Sequence, residues 1–121
     1  MLKKYHKELY FNSEDLKEIS LLISNMNQSK IIFSNHVIQE IHAEYNALEI
    51  AKFLKCVILS FDNLFEYQKE DGIVKLGFRY QLNNMEDIVF ILSRNKVIVT
   101  CWINKKSDKH FTLNPSNYIT V

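Results

Sequence analysis

Apolar positions recur every three or four residues through the first half of the chain and every second residue through the second half. The sequence therefore divides into a run of helices followed by a run of strands. Asn12-Ser13-Glu14-Asp15 sets capping residues and early acids ahead of Leu16, Ile19, Leu22, Ile23 and Met26, which predicts an amphipathic first helix. After the short apolar run Ile31-Ile32-Phe33, Ser34-Asn35-His36 offers a second capping set. Val37, Ile38, Ile41 and Tyr45 then carry a second helix that begins near His36. Asn46 is placed to cap a third, with Leu48, Ala51, Leu54, Lys55 and Ile58 on its period until Ser60-Phe61-Asp62-Asn63 breaks it.

The two-residue period begins at Leu64. Leu64 to Gln68 leads to Asp71-Gly72, a two-residue hairpin signal, and Ile73 to Leu82 then alternates. Val74, Leu76, Phe78, Tyr80 and Leu82 share one face of that strand, while Ile73, Lys75, Gly77, Arg79 and Gln81 share the other. Asn83-Asn84 turns the chain into Asp87 to Ser93, whose unbroken Ile88-Val89-Phe90-Ile91-Leu92 reads as a central strand covered on both faces. Arg94-Asn95-Lys96 is expected as a solvated hairpin tip, and a fourth strand alternates Val97, Val99, Cys101, Ile103 against Ile98, Thr100, Trp102, Asn104. The predicted architecture is a single α+β domain over residues 1–121, with helices over about 12–60 packed on one face of a four-stranded antiparallel sheet over about 64–121.

Composition agrees with one packed domain. The chain has 121 residues, 47% of them hydrophobic, with two glycines and one proline, enough for a core without disulfides or metal. Its longest apolar runs fall far below the roughly 20 residues of a membrane-spanning helix, and the basic first segment lacks the apolar core of a secretory signal. Cys56 and Cys101 show no CxxC spacing and no histidine cluster, so they read as two buried thiols of a reducing, cytoplasmic compartment, and no metal or cofactor is expected. Fifteen basic residues against fourteen acidic ones leave a formal charge of +1, which offers no global field toward nucleic acid. Only two of the basic residues are arginines, Arg79 and Arg94.

With helices over one face, Arg79, Thr100 and Asn104 fall on the other. Metal-free cleavage of RNA to a 2′,3′-cyclic phosphate needs a base, an acid and cations for the phosphorane. His36 and His110 are of the type that moves protons near neutral pH, and Arg79 of the type that grips phosphate with two hydrogen bonds. Lys75, Lys105 and Lys106 add cations, and Trp102 or Tyr80 offers a ring on which a base can stack. Each has a plainer role. His36 stands where a helix caps, His110 lies in a charged loop, and Arg79 is placed to pair with Glu66 or Asp87 across strands.

Ile31-Ile32-Phe33-Ser34-Asn35-His36 followed by two helices, with Arg79-Tyr80-Gln81-Leu82, Asp87-Ile88-Val89-Phe90-Ile91 and the ending Thr100-Cys101-Trp102-Ile103-Asn104 to Asp108-Lys109-His110-Phe111-Thr112-Leu113, resembles the phage-associated small nucleases of the barnase, EndoU, colicin and RelE fold class. The resemblance covers about residues 30–120. It implies helices on a four-stranded antiparallel sheet with RNA on the exposed concave face. It further implies a toxin-type endoribonuclease with His36, Arg79, Thr100 and His110 as catalytic residues. Lys75, Trp102, Asn104, Lys105, Lys106 and Thr112 would hold the RNA, and a cognate antitoxin or immunity protein would be its partner. Such nucleases often carry arginines one and two turns after the helix-start histidine, whereas Gln39, Glu40 and Glu44 stand there in this chain. The competing expectation is a non-catalytic phage accessory protein that binds and inhibits a host protein through the sheet face or a strand edge.

Overall fold

The structure, a computed structural model, describes residues 2–5 and 11–105. It is an α+β fold. In chain order the elements are β1 (Leu2–Tyr5), α1 (Ser13–Asn27), β2 (Ile32–Phe33), α2 (Asn35–His42), α3 (Ala47–Cys56), a 3-10 turn at Phe61–Asn63, β3 (Leu64–Glu70), β4 (Ile73–Gln81), β5 (Glu86–Ser93) and β6 (Val97–Lys105). They build one six-stranded sheet in the order β1-β3-β4-β5-β6-β2. The four expected strands lie together as an antiparallel meander, but the sheet gains an edge strand on each side. β1 pairs antiparallel with β3, and the two-residue β2 pairs parallel with β6. Neither addition carries a strand pattern: Leu2-Lys3-Lys4-Tyr5 is half charged, and Ile32-Phe33 is too short to show a period.

Local chemistry fixes the helix starts. Asn12 Oδ1 accepts from Asp15 N at 2.8 Å while Asn12 N donates to Asp15 Oδ2 at 3.2 Å, a reciprocal cap that uses two of the free donors of α1. Ser34 Oγ caps α2 through Val37 N at 3.1 Å. The third expected cap is not made. The Asn46 side-chain amide reaches toward Glu86 instead, and α3 starts with no side-chain cap.

All three helices bury one stripe against one face of the sheet. Ile19, Leu22, Ile23 and Met26 of α1, Val37 and Ile41 of α2, and Ile50 and Leu54 of α3 form one core with Tyr67, Val74, Leu76, Phe78, Ile88, Phe90, Leu92, Ile98 and Cys101. In α3 the buried stripe runs through Ile50 and Leu54, so Leu48, expected on the buried period, stands 70% exposed, while Ile58, expected on the same period, falls two residues past the helix end and is 72% exposed. The helix is apolar on several sides and its period alone does not choose among them. Two side chains fasten the helical layer to the strands. The Asn27 amide brackets Leu59, donating to its carbonyl at 2.9 Å and accepting from its N–H at 2.8 Å. The Tyr80 hydroxyl accepts from Ser60 N at 2.7 Å and donates to Ile58 O at 3.0 Å.

Register in the meander is set by one turn and two irregularities. Asp71 (φ 51°) and Gly72 (φ 78°) both take left-handed backbone, the geometry of a two-residue hairpin whose twist matches its strands. A shift between Leu64 and Glu66 lets both Leu64 and Tyr67 face the helices, with the ring of Phe65 lying over Gly77, where a Cβ would come within 2.9 Å of it. A second shift, between Ile91 and Leu92, pairs Leu92 with Ile98 and Ile91 with Thr100. Ile98 and Cys101 therefore both join the core, and the clean alternation expected for β6 is broken at Val99. The β5–β6 tip is docked, not merely solvated: Lys96 has φ 61°, is 7% exposed, and donates from Nζ to Ser29 O at 2.7 Å.

Phe90 stands at the centre of the core, with ring centroids 5.8 Å from Phe78 and 5.9 Å from Tyr80 and no exposed surface. Phe90→Ala is expected to lose about 3–5 kcal/mol in urea denaturation, while Leu48→Ala, at an exposed helix position, moves stability by less than about 0.5 kcal/mol. On α1, the Tyr67 hydroxyl donates to Glu18 Oε1 at 2.6 Å, and this hydrogen bond, ahead of opposing burial, holds the Glu18 carboxyl below its ordinary value of 4.5. A carboxyl with a depressed folded value contributes stability above its unfolded pKa and loses it as pH falls through the folded one. Tyr67→Phe should therefore be less stable than the parent chain at pH 7, with the gap narrowing as titration proceeds below pH 4.5.

Candidate functional site

His36 occupies the second residue of α2, past the Ser34 cap, with its side chain 68% exposed. One turn later Glu40 faces it, Oε1 lying 3.4 Å from the imidazole Nε2. Glu40 is itself fixed by the sheet. Thr100 Oγ1 donates to both of its carboxylate oxygens at 3.1 and 3.2 Å, and Cys101 N donates to Oε1 at 3.2 Å. The reason lies at the β6 edge: β2 covers only Val97 and Ile98, so the next outward N–H has no strand to meet and takes a carboxylate instead. Two of the sequence's candidates, His36 and Thr100, are thus joined through a third residue. The sequence had marked Glu40 only as the place of a missing cation.

Arg79 lies elsewhere. Register puts Arg79, Val89 and Trp102 in one row across β4, β5 and β6, with Gln81, Asp87 and Asn104 in the next. This is the face opposite the helices, as alternation required, and Lys75 and Thr100 share it. Arg79 is not displayed there. Its Nε lies 2.9 Å from Asp87 Oδ2, the two side chains being 5% and 18% exposed, so the cross-strand ion pair set beside phosphate binding in the sequence is formed. Val89 beside it is fully buried. Asn104 is also buried, and its Nδ2 has no hydrogen-bond partner among the described residues. Lys105, opposite Glu86 at the end of β6, is exposed. At about 4.8 Å per strand, β4 lies roughly 10 Å from β6, and His36 lies beyond β6 again. The structure does not bring the His36 imidazole and the Arg79 guanidinium together. Lys106, His110 and Thr112 lie outside the described residues.

The surroundings of His36 are acidic. Residues 31–51 contain Glu40, Glu44 and Glu49 and neither lysine nor arginine. Their field is visible in two neighbours. The Cys101 thiol is pushed up to about 12, by burial first and then by Glu40 and Glu44. The Tyr45 hydroxyl donates to Glu86 Oε1 at 2.8 Å, and that bond, then burial, then Glu86, Glu49 and Glu44 raise it above the ordinary tyrosine value. Beside this acidic rim, Phe33, Ile38, Ile41, Ala47, Leu48 and Ala51 line an apolar groove of about 280 Å³ between α2 and α3, with His42 at its lip. The groove escaped the sequence reading because Ile38 and Leu48 were assigned to the core. Its one legible trace was the stretch of residues 31–51 free of lysine and arginine.

Among the described residues no three histidine, cysteine or acidic side chains converge as a metal site, and no helix is long and apolar enough to cross a membrane. Compared with family models, with curated proteins and with solved structures, the chain matches none.

The two cysteines, both expected to be buried, differ: Cys56 is exposed and Cys101 is buried. A thiol reagent at pH 8 should therefore modify one cysteine, Cys56, in the native protein and both after denaturation. Fast native labelling of Cys101 would mean that the Glu40 anchor at the β6 edge opens readily.

Proposed function

We propose that this chain is a non-catalytic binding protein. Its α2/α3 groove takes a segment of a partner protein that presents apolar side chains flanked by lysine or arginine. The observation that carries this reading is the groove itself: Ile38 is 37% and Leu48 70% exposed beside Phe33 and Ile41, a displayed apolar strip of the kind that marks interaction sites. Its rim sets the chemistry of the occupant. Glu44, Glu49 and Glu86 stand around Tyr45, whereas Lys52 and Lys55 lie farther along α3, so the Tyr45 end of the groove attracts a basic segment and repels a polyanion. The exposed imidazole of His36 has the Glu40 carboxylate 3.4 Å away, which weighs against RNA approaching it.

A specific observation favours a second reading, the toxin-type endoribonuclease of RelE-like architecture. Arg79, Thr100, Trp102, Asn104 and Lys75 share one sheet face, and the buried Asn104 Nδ2 is a donor on it with no partner among the described residues. Such a nuclease would use Arg79 against the phosphorane, and it would work without the His36 imidazole as its neighbour.

The two readings part in one experiment. The chain is immobilised with the lysate of a cell that carries its gene, and separately incubated with total RNA. The binding reading expects RNA to stay intact. It also expects a retained protein that is released by about 0.5 M salt, lost with Leu48→Asp and weakened at least several-fold by the charge reversals Glu44→Lys and Glu49→Lys. Fragments ending in 2′,3′-cyclic phosphate that vanish with Arg79→Lys would replace it by the nuclease.

A further inference from the structure

A second cleft lies away from the groove, where the β5–β6 tip meets the C-terminal half of α1. It has a volume of about 530 Å³, and its walls include Lys17, Leu21, Asn25 and Met26 of α1 with Arg94 and Lys96 of the tip. Lys96 is the unusual member. It is 7% exposed, holds the left-handed backbone (φ 61°) that closes the β5–β6 loop, and has no carboxylate partner among the described residues. Its ammonium carries three donors, of which Ser29 O at 2.7 Å takes one. Burial without a compensating charge lowers its pKa from the ordinary lysine value. The one carboxylate of the cleft, Glu18, is already engaged by Tyr67 at 2.6 Å, by Lys69 at 3.4 Å and by Arg94 at 3.7 Å. Lys17, Arg94 and Lys96 thus outnumber Glu18 by two charges. Beside them, Leu21 stands 63% exposed and offers an apolar wall.

A plainer role for Lys96 is to hold the tip against the end of α1, where a cation suits the helix C-terminus. That role accounts for the Ser29 bond. It does not account for Lys17 and Arg94 lining the same cleft, which is much larger than one water or a halide ion.

We propose that this cleft binds a small organic monophosphate, the phosphate held by the Lys96 ammonium and the Arg94 guanidinium and the apolar body resting on Leu21. A monophosphate dianion matches the excess of two positive charges, and a guanidinium fork with an ammonium point charge suits a tetrahedral oxyanion. The volume is in the range of small-molecule sites and leaves room for a body attached to the phosphate. The groove between α2 and α3 plays no part in it.

Titration calorimetry on the full chain at low salt tests the proposal with three probes: adenosine monophosphate, adenosine and inorganic phosphate. Expected is saturable binding of the nucleotide, at least about tenfold weaker binding of inorganic phosphate, and none of adenosine. Lys96→Asn keeps a residue that tolerates left-handed backbone while removing the cation, and should weaken nucleotide binding at least about tenfold. Leu21→Asp should erase the nucleotide's advantage over phosphate. Should Lys96→Asn fail to fold by circular dichroism, the exposed pair Lys17→Ala and Arg94→Gln decides on the same tenfold criterion. Absence of binding by nucleotide and phosphate alike up to roughly 5 mM, or a Lys96→Asn or Lys17→Ala/Arg94→Gln chain that binds as the parent does, overturns it.

Discussion

Backbone N–H and C=O groups at the outer edge of β6 need partners, and the way they find them shapes the whole helical side of the molecule. Ile32 N donates to Lys96 O at 3.0 Å and Ser34 N to Ile98 O at 3.4 Å, after which β2 ends. Ser34 is also the cap of α2, so the last strand contact and the first helical turn share one residue. Glu40, one turn into that helix, then accepts Cys101 N and Thr100 Oγ1. Strand, cap and carboxylate form one continuous seam that closes an edge otherwise open to another chain. With α2 fixed this way, α3 reaches the core through Ile50 and Leu54, with Ala47 and Phe53 packed beside them, and the groove beside Ile38 and Leu48 lies between the two helices.

Charge follows the same seam. A carboxylate was required at the β6 edge, and Glu44 and Glu49 continue the sign around the α2–α3 connection. The exposed imidazole of His36 consequently stands against acids, with no arginine or lysine in its own stretch of chain. Positive charge gathers instead near the tip, at Lys17, Arg94 and Lys96. A net charge of +1 conceals this separation, because lysines and acids that cancel in the sum are segregated in space.

Features set by a few adjacent residues were legible in the sequence. The Asn12/Asp15 cap, the Ser34 cap and the Asp71-Gly72 hairpin depend only on side chains and backbone within four residues, and the structure contains all three. The helix-covered face of β4, from Val74 to Tyr80, followed directly from alternation. What failed depended on partners far away in the chain. Phe65 and Val99 interrupt alternation because their strands must bend to keep Leu64 and Ile98 on the core, and nothing local announces either bulge. Asn46 reads as a cap until Glu86, forty residues on, claims its amide. For the site, type and face were legible but proximity was not: Arg79 reached the expected face and was then neutralised by Asp87, while His36 was joined to Thr100 through a glutamate counted as a defect.

The acidic side chains around Tyr45 and the cationic cleft lie toward opposite ends of the β5–β6 hairpin, whereas Phe33 of the groove pairs with Ile98, two residues from Lys96. Tyr45 is tied to Glu86, the first residue of β5, whereas Arg94 and Lys96 form the turn that follows its last residue. Eight strand residues separate those ends by roughly 25 Å at about 3.3 Å each, about three times the screening length at physiological salt. Direct electrostatic coupling across that distance is small, and the intervening strand is rigid core through Ile88, Phe90 and Leu92. Charge substitutions at Glu86 and at Arg94 should therefore add without interaction. If the two did couple, the link would have to run mechanically through β6, since Lys96 and the Glu40 anchor of Cys101 sit on that one strand and its connection to β2.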